Sequence, residues 1–134
     1  MKIRIIVDAN IIISALLGGK PRFILFDSKF EFVTTPFTLK EVQKYIPLIS
    51  KKSGVSEKEV KDGLNLLPIK IIPLSYYQEY IKEAKEIMES IDKDDIEIFA
   101  LYLREKTYLW SEDKDFDKAK NKIKINLLKT EDFL

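Results

Sequence analysis

Ile3-Arg4-Ile5-Ile6-Val7 runs directly into Asp8-Ala9-Asn10 and then Ile11-Ile12-Ile13-Ser14-Ala15-Leu16-Leu17. The first five residues are short, β-branched and almost continuously apolar. That is the pattern of a strand covered on both faces, as in a parallel sheet. Asp8 breaks the run, and a helical stretch follows until Gly18-Gly19 stops it. A buried strand that ends in an acid and turns straight into a helix is the opening half of a βαβ unit.

The same alternation continues along the chain. Pro21 starts a short helix through Phe26. Phe30–Val33 reads as a second strand. Thr35-Pro36 is a cap followed by proline at the first helical position, with Leu39, Val42, Ile46 and Ile49 on one stripe and a break near Pro47. Ser56 and Glu59 have capping-box spacing ahead of a helix that Pro68 closes. Ile69–Ile72 is a third strand. Ser75 to Gln78 is a second capping box, before one long helix through Ile91. A largely buried helix follows Asp92-Lys93-Asp94-Asp95. Tyr108–Trp110 is a fourth strand, 123–128 a fifth, and 129–132 a terminal turn that packs Phe133 and Leu134. Strands alternating with helices predict an α/β fold, a parallel sheet with helices on both faces, in one domain over 1–134.

Composition narrows the chemistry. The 134 residues contain no Cys and no His. Disulfides, thiolate nucleophiles, Ser-His-Asp triads and His-ligated zinc are therefore excluded. Lys and Arg total 23 and Asp and Glu 22, a net charge of +1. This argues against a global basic field but leaves room for a local basic rim. No apolar run approaches the ~20 residues of a membrane span, and the first residues lead into a strand, so a cytoplasmic protein without a membrane partner is expected.

In doubly wound sheets the site lies at the carboxyl ends of the strands. Asp8, Glu41, Asp95 and Asp113 fall at or near those ends. Each also has an ordinary explanation. Asp8 is placed to cap a helix. Glu41 is placed to pair with Lys44. Asp92 and Asp95 have the spacing of a cap and a first-turn acid, and residues 111–117 read as a charged loop. Together, four converging carboxylates need a compensating charge. With no His or Cys, a hard divalent cation such as Mg²⁺ or Mn²⁺, one ion or two, is the partner that suits oxygen ligands, and phosphodiester hydrolysis is the chemistry such ions serve. Lys114, Lys118, Lys120, Lys122 and Lys124 are candidates for a phosphate-holding rim, with Lys20, Arg22, Lys51 and Lys52 behind them; a solvated surface explains them equally well. Tyr76, Tyr77 and Tyr80 are candidates for base stacking or for the core.

The ordered set resembles the PIN-domain family of small metal-dependent ribonucleases, often toxins of toxin–antitoxin pairs. Val7-Asp8-Ala9-Asn10, Lys40-Glu41-Val42, Asp92-Lys93-Asp94-Asp95 with Phe99-Ala100-Leu101, and Ser111-Glu112-Asp113-Lys114-Asp115-Phe116 match its four motifs in order. The resemblance implies a three-layer α/β/α sandwich with a five-stranded parallel sheet in the order 3-2-1-4-5. It implies Asp8, Glu41, Asp95 and Asp113 as catalytic metal ligands, with Asn10 and Ser111 orienting them. Asp92, Asp115 and Asp117 stand nearby, and Asp115 or Asp117 competes with Asp113 for the fourth place. Asp95 is preferred to Asp92 and Asp94 because it keeps the family's offset to Ala100. Glu112 departs from the small residue usual before the last Asp. The implied function is a metal-dependent endoribonuclease, the toxin of a VapBC-type pair, acting on RNA through a water positioned by Asp8 and Asp95. A small antitoxin and a second copy of the chain are the implied partners. A catalytically weak RNA- or protein-binding scaffold and an RNA-processing nuclease outside any toxin system are the alternatives.

Other acidic-pocket folds fit less well. A phosphoacceptor domain needs an Asp after the third strand, where Pro73-Leu74-Ser75 stands. A dehalogenase-type phosphatase needs Asp-x-Asp where the chain has Asp8-Ala9-Asn10. A P-loop needs a glycine-rich turn between strand and helix.

Overall fold

A computed structural model describes residues 2–134. Five parallel strands form one sheet in the order β3-β2-β1-β4-β5. They are β1 (Ile3–Val7), β2 (Phe30–Thr34), β3 (Ile69–Ile71), β4 (Tyr108–Trp110) and β5 (Leu127–Leu128). β1 is central. Ile5 lies opposite Phe32 on one side and Tyr108 on the other, and Val7 opposite Trp110.

The period-2 geometry of β1 divides the interior. Ile5 and Val7 belong to one core with Phe32 and Trp110, covered by α1 (Ala9–Leu16), α2 (Pro21–Leu25) and residues of α3 (Pro36–Lys44) and α5 (Glu57–Leu66). Ile6 points the other way, with Val33 and Leu109, toward α7 (Ile81–Met88), α8 (Ile96–Glu105) and α9 (Lys114–Ala119). Side chains of one strand alternate between faces, so a single apolar run serves both cores. The result is the expected three-layer α/β/α arrangement. α8 is its most buried helix, with Ile98 through Leu103 all inside. α4 (Ile46–Ser53) carries Ile46 and Ile49 into a small satellite core with Val60.

Several local expectations are revised. The break expected near Pro47 is present and falls slightly earlier, leaving Leu39 and Val42 on α3 and Ile46 and Ile49 on α4. The chain breaks at Tyr45, and Pro47 sits in the first turn of α4, where its missing N–H costs nothing. The helix expected from Ser75 to Ile91 is also broken. α6 (Leu74–Tyr77) is followed by a 3₁₀ turn at Gln78–Tyr80 before α7, and Pro73, not Ser75, precedes the first turn. The break lets Tyr77 bury its ring completely while its hydroxyl donates to Glu97 Oε1 at 2.9 Å. The fifth strand shrinks to Leu127–Leu128, and the buried Ile125 packs instead on the α7/α8/α9 side. Residues 114–119 are helix rather than loop. At the end of the chain Phe133 packs against Trp110 at 4.5 Å between ring centroids, but Leu134 is 72% exposed.

Phe99 is fully buried in the α8 core, 6.3 Å from the stacked ring of Phe116. Phe99→Ala is expected to destabilise the chain by about 3–5 kcal/mol in urea unfolding, from lost burial plus a residual cavity. Phe23→Ala, at a 70% exposed position, should stay within ~0.5 kcal/mol.

Candidate metal centre

Asp8 follows β1 directly. Its backbone N–H still donates to Trp110 O at 3.1 Å, so the sheet holds the residue up to the point where the helix begins. Its side chain then serves two purposes. Oδ1 accepts the Ala9 N–H at 2.8 Å, capping α1. Oδ2 accepts the Ser111 hydroxyl at 2.6 Å and Asn10 Nδ2 at 3.2 Å. The residue thus caps a helix with one oxygen and ties the two strand ends together with the other.

Ser111, just past the end of β4, is fully buried. While donating to Asp8 it accepts the Asp113 N–H at 3.0 Å. Asn10 completes the bridge, with Nδ2 3.2 Å from Ser111 Oγ and Oδ1 accepting the Glu112 N–H at 3.2 Å. The two strand ends are thus joined by a side-chain network. Asp113 caps α9, its Oδ1 accepting the Asp115 N–H at 2.9 Å.

Asp95 arrives from another direction, at the end of the 3₁₀ turn Lys93–Asp95 that Asp92 caps through the Asp94 N–H at 2.9 Å. It is 8% exposed, and its Oδ2 is buried without any hydrogen-bond partner. Carboxylate oxygens of Asp8, Asp95 and Asp113 lie within 4.8 Å of one another, as do those of Asp92, Asp95 and Asp115. Asp95 belongs to both groups. Glu41, on α3, lines a cavity of about 270 Å³ along with Asp8, Asp92, Asp95 and Asp113, while its Oε1 pairs with Lys44 Nζ at 3.0 Å.

The electrostatics follow from this crowding. Burial, then the charges of Asp8 and Asp113, push Asp95 up to about 9. Burial also raises Asp8, to about 6, against the lowering effect of the Ser111 and Ala9 hydrogen bonds. Asp115 is raised too, chiefly by burial and by Asp113. Alone, the cluster relieves its repulsion by holding protons.

The remaining sequence candidates are distributed differently. Asp117 is in neither acidic group and pairs with Lys129 at 3.0 Å. Lys118 faces Asp115 at 3.7 Å. Lys122 donates to Ile87 O and Ser90 Oγ, both at 2.9 Å, and so braces α7 against the end of α9. Lys114, Lys120 and Lys124 are exposed. Tyr77 is core, and Tyr76 lies under Arg104 at 4.6 Å. Phe37, which lines the acidic cavity, carried no distinguishing signal in the sequence. A lone Phe after a helix-initiating proline reads only as core.

The architecture is that of a PIN-type α/β sandwich with an acid cluster at its strand ends. The PIN domain family pattern matches residues 6–128, and the chain belongs to that family. A chain of the crystal structure of VapBC2 from Rickettsia felis, bound to a DNA fragment from its promoter, superposes with a TM-score of 0.70. It is 18% identical, and the match covers 95% of this chain and 98% of that one, so the likeness is one of fold. No curated protein matches the sequence. Among the described residues no helix is long and apolar enough to cross a membrane.

The acids make stability depend on pH. Asp8 and Asp95 hold protons more tightly when folded than the ordinary Asp value of 3.8 allows. The folded chain therefore binds more protons than the unfolded one, and stability falls as pH rises from about 4 through about 6 and on toward about 9. In EDTA, Tm should be higher at pH 5 than at pH 8. Asp95→Asn should raise Tm at pH 8 and flatten the profile, as read by differential scanning calorimetry. An unchanged profile would remove the electrostatic account of the cluster.

Proposed function

We propose that the chain is a metal-dependent endoribonuclease, the toxin component of a VapBC-type toxin–antitoxin pair. On this reading residues 1–134 act as one unit. The observation that carries it is the buried, unpartnered Asp95 Oδ2 set among the carboxylates of Asp8 and Asp113. A buried acceptor without a donor is costly, and the nearest groups are carboxyls, which can supply one only by taking up a proton. A cation satisfies it.

The donor set fits a hard ion. Every candidate ligand is a carboxylate oxygen, which suits Mg²⁺ or Mn²⁺. Asp8, Asp95 and Asp113 would hold it, Glu41 would close the cleft from α3, and Asp92 and Asp115 would extend the acidic surface around Asp95. When bound, such an ion polarises a phosphoryl oxygen and lowers the pKa of water. The chain's own residues provide position. Ser111 and Asn10 hold Asp8 by its Oδ2, and Ser111 also fixes the backbone of Asp113. Asp8 and Asp95 would orient the water that attacks phosphorus in line as the ester oxygen leaves and takes up a proton. Lys114 and Lys120, exposed on the α9 side, are available to phosphates. The toxin assignment draws support from the family and from the likeness to VapBC2. A small antitoxin and a second copy of the chain are the partners it implies, and Leu66, 75% exposed on α5, offers apolar surface for one of them.

Purified protein with single-stranded RNA and Mg²⁺ or Mn²⁺ should release fragments with new ends. EDTA and Asp8→Asn should each abolish cleavage. Ser111→Ala should lower activity or metal affinity by about 10–100-fold, the usual cost of losing a group that orients a ligand. Cleavage that persists in EDTA would sink the reading. A short neighbouring reading frame for a DNA-binding protein would favour the toxin over a processing nuclease.

A further inference from the structure

A second depression adjoins the acidic cavity. It is the larger of the two, about 750 Å³ against about 270 Å³, and Phe37 and Asp94 line both. Its walls are α7, the first residues of α8 and the turn before it. Ile81 and Ile96 give it an apolar floor, and Lys82, Lys85 and Lys93 stand around it. Lys82 and Lys85 are three apart on α7, so they share one face of that helix with Ile81.

These lysines share with Lys114 and Lys120 a state that several others near the site lack. Lys44, Lys118 and Lys129 each face a carboxylate, at 3.0, 3.7 and 3.0 Å. Among the described residues none of Lys82, Lys85 and Lys93 forms a salt bridge. All three are exposed. Of the two acids in the lining, Glu97 on α8 accepts from the Tyr77 hydroxyl at 2.9 Å, and Asp94 stands exposed at the junction with the acidic cavity. The groove thus combines cations not paired to carboxylates, apolar surface and the half-buried ring of Phe37 at the junction with the acids. Cations that track a backbone beside an aromatic face are the components of a single-strand binding channel.

We propose that this groove is the entry channel for a single-stranded RNA, with Lys82, Lys85 and Lys93 contacting successive phosphates and Phe37 stacking the base next to the acid cluster. The proposal rests on the ribonuclease reading for its choice of ligand, and it names residues that the family motifs do not include. It also moves the main phosphate contacts from α9 to α7. RNA fits better than a protein segment because the groove shares Phe37 and Asp94 with the acidic cavity and its three exposed lysines outnumber its two acids.

The test is equilibrium binding of a short labelled single-stranded RNA, followed by fluorescence anisotropy over a salt series. Asp8→Asn with Mg²⁺ keeps the RNA intact. In that background, Lys82→Gln with Lys85→Gln should weaken binding by about tenfold and make the slope of log K against log salt shallower by about 1.4, twice the ~0.7 per phosphate contact of single strands. Lys58→Gln with Lys61→Gln, the same charge change on α5, should alter neither. Phe37→Ala should weaken binding about tenfold and leave the slope unchanged, since stacking releases no counterions. Unchanged affinity and slope in the Lys82/Lys85 pair would overturn the proposal, as would an equal loss in the Lys58/Lys61 pair. So would a shift in sedimentation with RNA affinity intact, which would make the groove an interface between copies. Loss of an antitoxin from its complex, again with RNA affinity intact, would give the groove to that protein. Failure of hydrolysis is separately visible. A wild-type chain that binds RNA through the groove but never cleaves it leaves the channel standing and removes the nuclease.

Discussion

Three carboxylates within 4.8 Å, two of them buried, are the constraint around which this structure is arranged. Like charges at such distances in a partly dry site cannot all be ionised without a counter-charge. The chain contains neither His nor Cys to share the burden, and among the described residues no lysine forms a salt bridge with Asp8, Asp95 or Asp113. Apart from protonation, the arrangement has one relief, a cation. Asp95 shows this most directly, because one of its oxygens is buried with nothing to accept from. A purely structural acid at the end of a helix would find a backbone N–H, as Asp8, Asp92 and Asp113 do.

Holding such a cluster together requires rigidity elsewhere. The sheet supplies it. Asp8 and Ser111 extend two paired strands, β1 and β4, and Thr34 on β2 donates to Val7 O at 2.8 Å, fastening the last residue of β1 from the other side. Trp110 and Phe133 pack beneath the same strand ends. α8, buried over most of its length, fixes where Asp95 stands. The strain of the acids is thus opposed by both cores, and Ser111 concentrates it, touching Asp8 and Asp113 through one hydroxyl. A fully satisfied polar network at a strand end is rigid, and rigidity is what an ion-binding constellation needs.

Much of this could be read in advance because the decisive signals are local. The β-branched run before Asp8 marks a central parallel strand whatever follows it, and the acids after strands follow from topology. Glu41 is ambiguous in the sequence for a physical reason: it lines the cavity and also pairs with Lys44, so its position serves either reading. α9 escaped notice because Lys114-Asp115-Phe116-Asp117-Lys118 has a single core residue to betray its face. The hydroxyl of Tyr77, at the break, finds its partner in Glu97, twenty residues away, which no local pattern reports. The lysines were the least legible of all. Whether a lysine is free for a phosphate depends on which acid the fold sets beside it. Lys118 and Lys122 proved to be engaged within the fold, and Lys82 and Lys85 did not.

That dependence bears on the near-zero net charge. With +1 overall, the chain projects no long-range field to draw in an anionic strand. Screening confines each charge to about a Debye length, ~8 Å at physiological salt, so affinity has to be built by local segregation of sign. The fold does segregate it, with acids collected at the strand ends and unpaired lysines on the α7 wall next door. On the functional reading proposed above, the acids repel the same phosphates that the lysines attract, until a cation neutralises them. Cation and strand would then each raise the other's affinity by an equal factor, because binding linkage is reciprocal. On that reading a nearly neutral protein with this layout would hold a nucleic acid more tightly when the metal is present, and so would couple holding a strand to being able to cut it.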